Sequence, residues 1–517
     1  MSNWDTEAVS GCYAGHRGRL YRRGPTTITE LVAGTECWTD REFLVHGDRR
    51  ISYARFRGAV GRVRVHLAAL GIRPRDRVLV FGYNSPEWVA AVFALLLDGA
   101  VPVLGNRWWS RAEVAHAVDT LDLRHILTDT ALDTPVPTSP LTDLADTFEA
   151  PGIETPGVDS DIDDVAMVLF TSGSSGMPKA VELSRRSIIA NQQNILTRNG
   201  RLPHLLDADS PQAISLASTP MFHIGGVSSL FTHFLTGGRI VVAQGRFDAG
   251  QVMALIERER IQVWGAVPTM AVRVLEHPDF GTRDLSSLRS WPLGGAQVSP
   301  ALLERIREKL PNLRDRGLSN TWGMTEAGGF LTVADSRDLR DRPGTVGKPY
   351  PVVELRIDRP DADGVGEVLA RSPTVMLRYA GGGAAQAVDA DGWLHTGDLG
   401  HLDADGYLYI DGRSKDIVIR GGENIACPHV EAALTRHPAV VEAAALGLPH
   451  PDLGEELAAV VVYRTGAPPP TDAELRAHLA GVVSSFAVPT RWLIRSEPLP
   501  TLAGEKIDKR SLAADFA

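Results

Sequence analysis

Cysteine is scarce in this chain: Cys12, Cys37 and Cys427 are the three in 517 residues, odd in number and widely spaced. Neither a disulfide framework nor a zinc-binding spacing can be assembled from them, so a reducing cytoplasm is the expected home. An excess of positive charge is missing too. Lysine and arginine number 53 against 63 aspartates and glutamates, a formal net charge of −10, which argues against a nucleic-acid partner. The arginines at 17, 19, 22 and 23 read as a solvated face. Long apolar runs are absent: the most apolar stretch, Val89 to Leu97, stops at Asp98 and is far too short to span a bilayer. The opening Met1-Ser2-Asn3-Trp4-Asp5 lacks the basic head and apolar core of a signal peptide. There is no internal repeat, and low complexity is confined to Gly381-Gly382-Gly383-Ala384-Ala385.

What is there is ordinary for a soluble globular protein, with 44% hydrophobic and 22% charged residues. Its length exceeds what one core can organise, and two or more domains are expected. Ala54–Leu70 reads as a helix and Arg77-Val78-Leu79-Val80-Phe81 as a strand. Asn84-Ser85-Pro86-Glu87 opens a helix ending near Leu97, since serine caps and proline suits the first turn. Val101–Leu104 and His125–Thr128 are further strands. Strand and helix in alternation imply a parallel sheet covered on both sides. A second unit of this kind starts after Val165–Phe170: helix Arg185–Arg198, strand Ala213–Ser218, helix Val227–Leu235, strand Arg239–Ala243 and helix Ala249–Arg258. Residues 344–411 are β-rich. Near Asp411-Gly412-Arg413-Ser414-Lys415-Asp416 the composition turns polar, a domain boundary, and the remainder alternates helix (Pro428–Thr435) with strand (Leu457–Tyr463).

The stretch that organises the chemistry is Thr171-Ser172-Gly173-Ser174-Ser175-Gly176-Met177-Pro178-Lys179, directly behind the apolar run Val165–Phe170. Glycines let backbone N–H groups turn toward an anion, hydroxyls add donors and the lysine adds a full charge. That is the chemistry of a polyphosphate cradle. It is not the common P-loop, because proline precedes the lysine and alanine follows it. Taken bare, such a loop is also what a flexible connection looks like.

The wording of this loop is similar to the nucleotide loop of the adenylate-forming superfamily, which includes acyl- and aryl-CoA synthetases, luciferases and the adenylation domains of peptide synthetases. Further matches run from about Val80 to Lys509, most of the chain. The resemblance implies an α/β fold: a large N-terminal domain of two sheet-and-helix subdomains plus a small β-barrel over residues 1–411, a hinge at 412–415 and a small mobile α+β lid over 416–517. It also implies ATP, Mg2+ and coenzyme A as reaction partners.

The resemblance assigns roles residue by residue. His223, in Pro220-Met221-Phe222-His223-Ile224-Gly225-Gly226, would stand between acyl pocket and adenylate; without that context an isolated histidine after an aromatic is a packed core residue. Leu293-Gly294-Gly295-Ala296 would lie against adenine, although the same glycines make a tight turn. In Asn320-Thr321-Trp322-Gly323-Met324-Thr325-Glu326 the ring of Trp322, where tyrosine is usual, would stack on the base. Thr325 would donate to the phosphates and Glu326 would hold Mg2+, a hard cation preferring carboxylate oxygen. Asp398, in Trp393-Leu394-His395-Thr396-Gly397-Asp398, would accept both ribose hydroxyls, a task suited to an acceptor-only group. Arg413 would sit near ribose and phosphate, and Lys415 at the hinge.

Arg420-Gly421-Gly422-Glu423-Asn424-Ile425 followed by Pro428 looks more like acyl-CoA synthetases than peptide-synthetase modules, with Gly421 and Gly422 passing a pantetheine arm. Lys506 would bridge acid and α-phosphate in the first half-reaction. The family expects glycine directly before this lysine; Glu505 intervenes and Gly504 precedes it. The acyl pocket is expected to draw on His223, Val227, Ser229, Trp264, Gly294, Asn320 and Thr321. No cationic side chain stands out for an amino acid or diacid, so a fatty or aryl acid fits best. The alternatives are a ligase loading a separate carrier protein and one adenylating nitrite for an aryl amine. No membrane span and no nucleic acid are expected, and a homodimer is left open.

Overall fold

The computed structural model describes residues 4–149, 157–158, 160–171, 177–381, 387–413, 417–420, 423–451, 453–480, 482–502 and 504–516. Among them are four large sheets of five to eight strands and a two-stranded one. The first has seven strands, in the order Arg378–Tyr379, Lys179–Ser184, Val165–Thr171, Val101–Gly105, Arg77–Phe81, Leu123–Thr128 and Thr138–Pro140. Its centre is parallel, as the strand–helix alternation predicts. Helix Pro86–Leu97 is buried along almost its whole length, which is why its sequence shows no polar face. Ser85 caps it, its Oγ accepting from the N–H of Trp88 at 3.1 Å.

One element departs from the sequence reading. The chain does not pass from the serine-rich loop straight into helix Arg185–Arg198; strand Lys179–Ser184 comes first and pairs antiparallel with Val165–Thr171. After Lys179 all its residues are buried, so it lacks the polar–apolar alternation by which a half-exposed strand is read. The consequence is functional. Lys179 lies directly opposite Thr171 in the register, so the two ends of the loop are fixed to each other by a hairpin.

A second, five-stranded sheet runs Val263–Trp264, Ile214–Ala217, Arg239–Val242, Glu42–His46 and Arg49–Ser52. The β-rich stretch expected to form a barrel contributes to an eight-stranded sheet that starts at Trp291–Gly294 and Leu318–Met324 and ends at Gly366–Arg371 and Glu354–Asp358. Leu318–Met324 and Leu394–Leu402 are four strand steps apart in that order, which in a flat sheet would be about 19 Å at ~4.8 Å per step. Yet Trp322 of the first donates a 2.7 Å hydrogen bond to Asp398 of the second. The sheet therefore rolls over on itself.

Past the boundary, Ile417–Arg420, Glu423–Ala426, Val440–His450, Gly454–Tyr463 and Arg491–Arg495 form a separate five-stranded sheet with its own core around Val430, Leu457 and Val461. Among the described residues no helix is long and apolar enough to cross a membrane.

Candidate active site

Asp398 is a buried carboxylate held from two sides. The antiparallel register sets it directly opposite Arg413. Arg413 Nε donates to Asp398 Oδ1 at 2.8 Å, and the Trp322 indole N–H donates to Oδ2 at 2.7 Å. Each oxygen therefore has one donor and keeps lone-pair capacity for another. Only 4% of the residue is exposed. Burial pushes the carboxyl pKa up, and Arg413, the indole N–H and Lys506 pull against that shift. Trp322 thus does more than keep a ring where tyrosine is usual; its N–H fixes the carboxylate.

Glu326 collects the loop from the other side. Its Oε1 accepts from Thr171 Oγ1 at 3.2 Å and from the Tyr379 hydroxyl at 2.9 Å. Lys179 Nζ stands 5.1 Å from the centre of the Tyr379 ring, a cation–π distance. Burial, and then the Glu326 charge, push the Tyr379 hydroxyl above its ordinary pKa, so it stays a proton donor. Among the described residues no cluster of three or more histidine, cysteine or carboxylate groups could hold a metal unaided. Glu326 fits a more modest requirement. Mg2+ is commonly held by one or two carboxylates plus substrate phosphates and water, and Glu326 Oε2 accepts no hydrogen bond among the described residues.

Lys506 reaches this group from the C-terminal unit. Its Cε lies 4.0 Å from the point a side chain on Gly295 would occupy. Lys506 as a residue is exposed. The enclosing protein, followed by the Arg413 charge, lowers its pKa; Glu326 and Asp398 act the other way. His223 is the residue preceding helix Ile224–Leu235 and packs against Phe222, ring centres 4.6 Å apart. A Cβ on Gly504 would come within 2.7 Å of His223 Nε2, and Gly504 has φ +83°, so this contact and this backbone both require glycine.

The remaining expected positions divide. Val227 is buried in the large core beside the site, and Ser229 is exposed one turn after Gly225. A Cβ built on Gly225 or on Gly265 meets nothing within 4 Å, so both border open space. Trp264 does not line a pocket. Its indole is fully buried, packs 4.6 Å from Trp291 and donates to Ser218 Oγ at 2.8 Å; a ring that large, on the strand at the sheet's edge, serves the core. Asn320 is buried and donates to the Thr345 carbonyl at 3.2 Å, while Thr321 Oγ1 donates to the Leu293 carbonyl at 3.2 Å against Gly294. Those side chains join strands. Thr325 opens the turn bearing Glu326, and Gly295 and Ala296 are exposed at the cleft. Ser172, Gly173, Ser174, Ser175, Gly176, Lys415, Gly421 and Gly422 lie outside the described residues.

Tyr379 escaped the sequence reading because nothing marks it: it follows an ordinary apolar stretch and becomes relevant only when strand Arg378–Tyr379 pairs with Lys179–Ser184. Thr269 and Arg273, on helix Pro268–Leu275, were equally silent, although both touch Glu505.

Residues 33–380 match the family model of the AMP-binding enzymes and residues 429–504 that of the AMP-binding enzyme C-terminal domain. A feruloyl-CoA synthase of Amycolatopsis is 33% identical over 488 residues, covering 91% of this chain and 95% of that protein. An indoleacetate–CoA ligase of Aromatoleum aromaticum is 31% identical, covering 90% and 94%. Among solved structures, o-succinylbenzoate coenzyme A synthetase of Bacillus subtilis with ATP and magnesium ion superimposes with TM-score 0.79 at 28% identity, covering 93% of this chain and 98% of the other. The chain belongs to the AMP-binding enzyme family, in the acyl-CoA synthetase branch of the adenylate-forming superfamily.

Proposed function

We propose that this protein activates a carboxylic acid with ATP, forming an acyl-adenylate and pyrophosphate, and then transfers the acyl group to the thiol of coenzyme A. The observation that carries the reading is that Lys506, from the C-terminal unit, lies beside Gly295 and within electrostatic reach of the hydrogen-bonded pair Asp398–Arg413 and of Glu326. Two anions must react there. Catalysis therefore consists of neutralising charge and aligning the carboxylate oxygen with the α-phosphorus and the departing pyrophosphate.

In this reading Asp398 accepts the ribose hydroxyls, its orientation held by Trp322 and Arg413. Lys179 and Thr171, locked across the hairpin, flank the leaving pyrophosphate. Lys506 bridges the acid and the α-phosphate. Mg2+ on Glu326 would neutralise the polyphosphate when bound. His223 separates acid from nucleotide, and residues 416–517 form the lid, with Lys415 at its hinge and Gly421–Gly422 at the thiol path.

An aryl acid is the substrate class that the similarities favour, since the relatives are named for feruloyl, indoleacetate and succinylbenzoate groups. The open space beside Gly225 and Gly265 leaves room for a ring. The test is pyrophosphate release across ferulate, indoleacetate, 2-succinylbenzoate, fatty acids, amino acids and nitrite with an aryl amine, each with and without coenzyme A. Acid-dependent release with CoA-dependent AMP formation is expected. Release stimulated only by a carrier protein, or only by nitrite, would overturn the acceptor or the acid assignment.

A further inference from the structure

Glu505 occupies a position where its backbone is costly. Its φ is +61°, in the left-handed region where glycine is the easy residue, and it follows Gly504 at +83°. Its side chain and carbonyl are both engaged by one helix of the large unit, Pro268–Leu275. Arg273 Nη1 pairs with Glu505 Oε2, and Thr269 Oγ1 donates to the Glu505 carbonyl. Arg273 Nη2 also donates to the Leu499 carbonyl at 3.4 Å, at the beginning of the same segment. The ion pair is mostly enclosed, with 25% of the Arg273 side chain and 19% of the Glu505 side chain exposed.

Within its own segment Glu505 is tied again. Thr501 Oγ1 donates to Oε2 at 3.2 Å, the Glu505 N–H donates to the Leu502 carbonyl at 3.0 Å, and the Leu502 N–H donates to the Lys506 carbonyl at 2.7 Å. The turn that presents Lys506 is thus closed on itself and gripped from outside, while Gly504 rests on His223. The carboxylate next to Lys506 does not compete for its ammonium. It points to Arg273 instead.

We infer that Glu505 is a positioning residue: with Arg273 and Thr269 it latches the Lys506 turn onto the large unit and so sets the lysine for the adenylation step. The inference rests on the role proposed for Lys506, and it concerns neither the acid nor the acceptor. A glycine here would relax the backbone but release the turn. A displacement of about 1 Å at a reacting group is enough for losses on the order of 100-fold.

The experiment uses the full chain with Glu505→Gln, Glu505→Gly and Arg273→Met, the Gly variant tolerating the left-handed backbone. Hydrogen exchange of residues 499–507 is read first, because it needs no substrate and therefore separates failure of the latch from failure of the proposed reaction. Faster exchange at Leu502 and Glu505 in all three variants is expected. With ferulate, or the best acid of the screen, ATP–pyrophosphate exchange should fall about 10- to 100-fold in kcat. KM for the acid should change little, and CoA-dependent thiolysis of supplied acyl-AMP should be retained. Arg273→Lys should restore part of the loss, and Glu505→Gln combined with Arg273→Met should cost no more than either alone. Unchanged exchange, equal loss of both half-reactions, or a faster Glu505→Gly enzyme would overturn the assignment.

Discussion

The two sides of the cleft are built by different physics. The nucleotide side is sheet. Asp398 and Arg413 are cross-strand neighbours, Trp322 arrives by the rolling of the same sheet, and Thr171 and Lys179 are locked opposite each other in a hairpin. The lysine side is a turn from a unit with a separate core, held by Arg273, Thr269 and the glycine contact with His223. Ladder hydrogen bonds position the first side. The second side exists only while the two units touch. A site divided this way can be completed and dismantled without disturbing its binding half, as a two-step reaction needs.

The largest effect that would break this comparison comes from the turn. Lys506→Ala should lower adenylation by about 100- to 1000-fold, the scale of losing one preorganised charge partner. Thiolysis of supplied acyl-AMP should persist, and equal loss of both steps would remove the distinction between the sides. The pH profile sharpens the point. The surrounding protein lowers the Lys506 pKa below that of an ordinary lysine. The ammonium is the working form, so kcat/KM for adenylation should decline on the alkaline side at a pH below the ordinary lysine range, and Lys506→Arg should abolish that limb. The stability contribution runs oppositely. With the folded pKa depressed, the folded chain binds fewer protons, so this lysine's contribution is complete above the unfolded pKa and is lost as pH falls through the folded value.

On the sheet side, Asp398→Asn should raise KM for ATP by about 10- to 100-fold, the range for a hydrogen bond to a charged group. Folding should be little affected. An amide oxygen can still accept from Trp322, and the Arg413 side chain is 55% exposed, so the lost ion pair is a screened one. Isothermal titration with ATP and a melting curve distinguish the two. A large loss of Tm with unchanged ATP affinity would make Asp398 a structural residue.

This division also explains what could be read from the sequence. Asp398, Arg413, Glu326 and Lys506 stand in spaced motifs, because each would touch a ligand whose shape fixes the spacing, and the structure brings those four together. The parallel strands at Arg77–Phe81 and Val101–Leu104 were visible as apolar runs on either side of one capped helix. Trp264 was misjudged as a pocket residue because aromatic content near a motif does not say which face it serves. Tyr379, Arg273 and Thr269 were invisible for a different reason. They act through contacts with residues far away in the chain, and no local pattern records such a pairing.

Smaller still is the effect expected of Trp322→Phe. The ring remains available for adenine, but Asp398 Oδ2 loses its donor in a site where little water can replace it. A net loss of about 1 kcal/mol, roughly fivefold in KM for ATP, is expected, with kcat nearly unchanged. If Trp322→Phe instead matched Asp398→Asn, the indole N–H would be contributing as much as the carboxylate it orients.

Tyr379→Phe should have the least effect and is the most discriminating about the loop. It removes only the hydroxyl that donates to Glu326 Oε1 and leaves both the Thr171 hydrogen bond and the ring beneath Lys179. Because Glu326 keeps one donor, kcat/KM for ATP should fall by no more than about threefold, within the ~0.5–1 kcal/mol of an ordinary hydrogen bond. Tyr379→Ala also removes the cation–π partner of Lys179, worth about 0.5–1 kcal/mol at a partly exposed site, and should cost a further fewfold. Equal losses in the two variants would assign the whole effect to Glu326. A loss confined to Tyr379→Ala would assign it to Lys179, and the nucleotide side would then be held by its hairpin rather than by the carboxylate that gathers it.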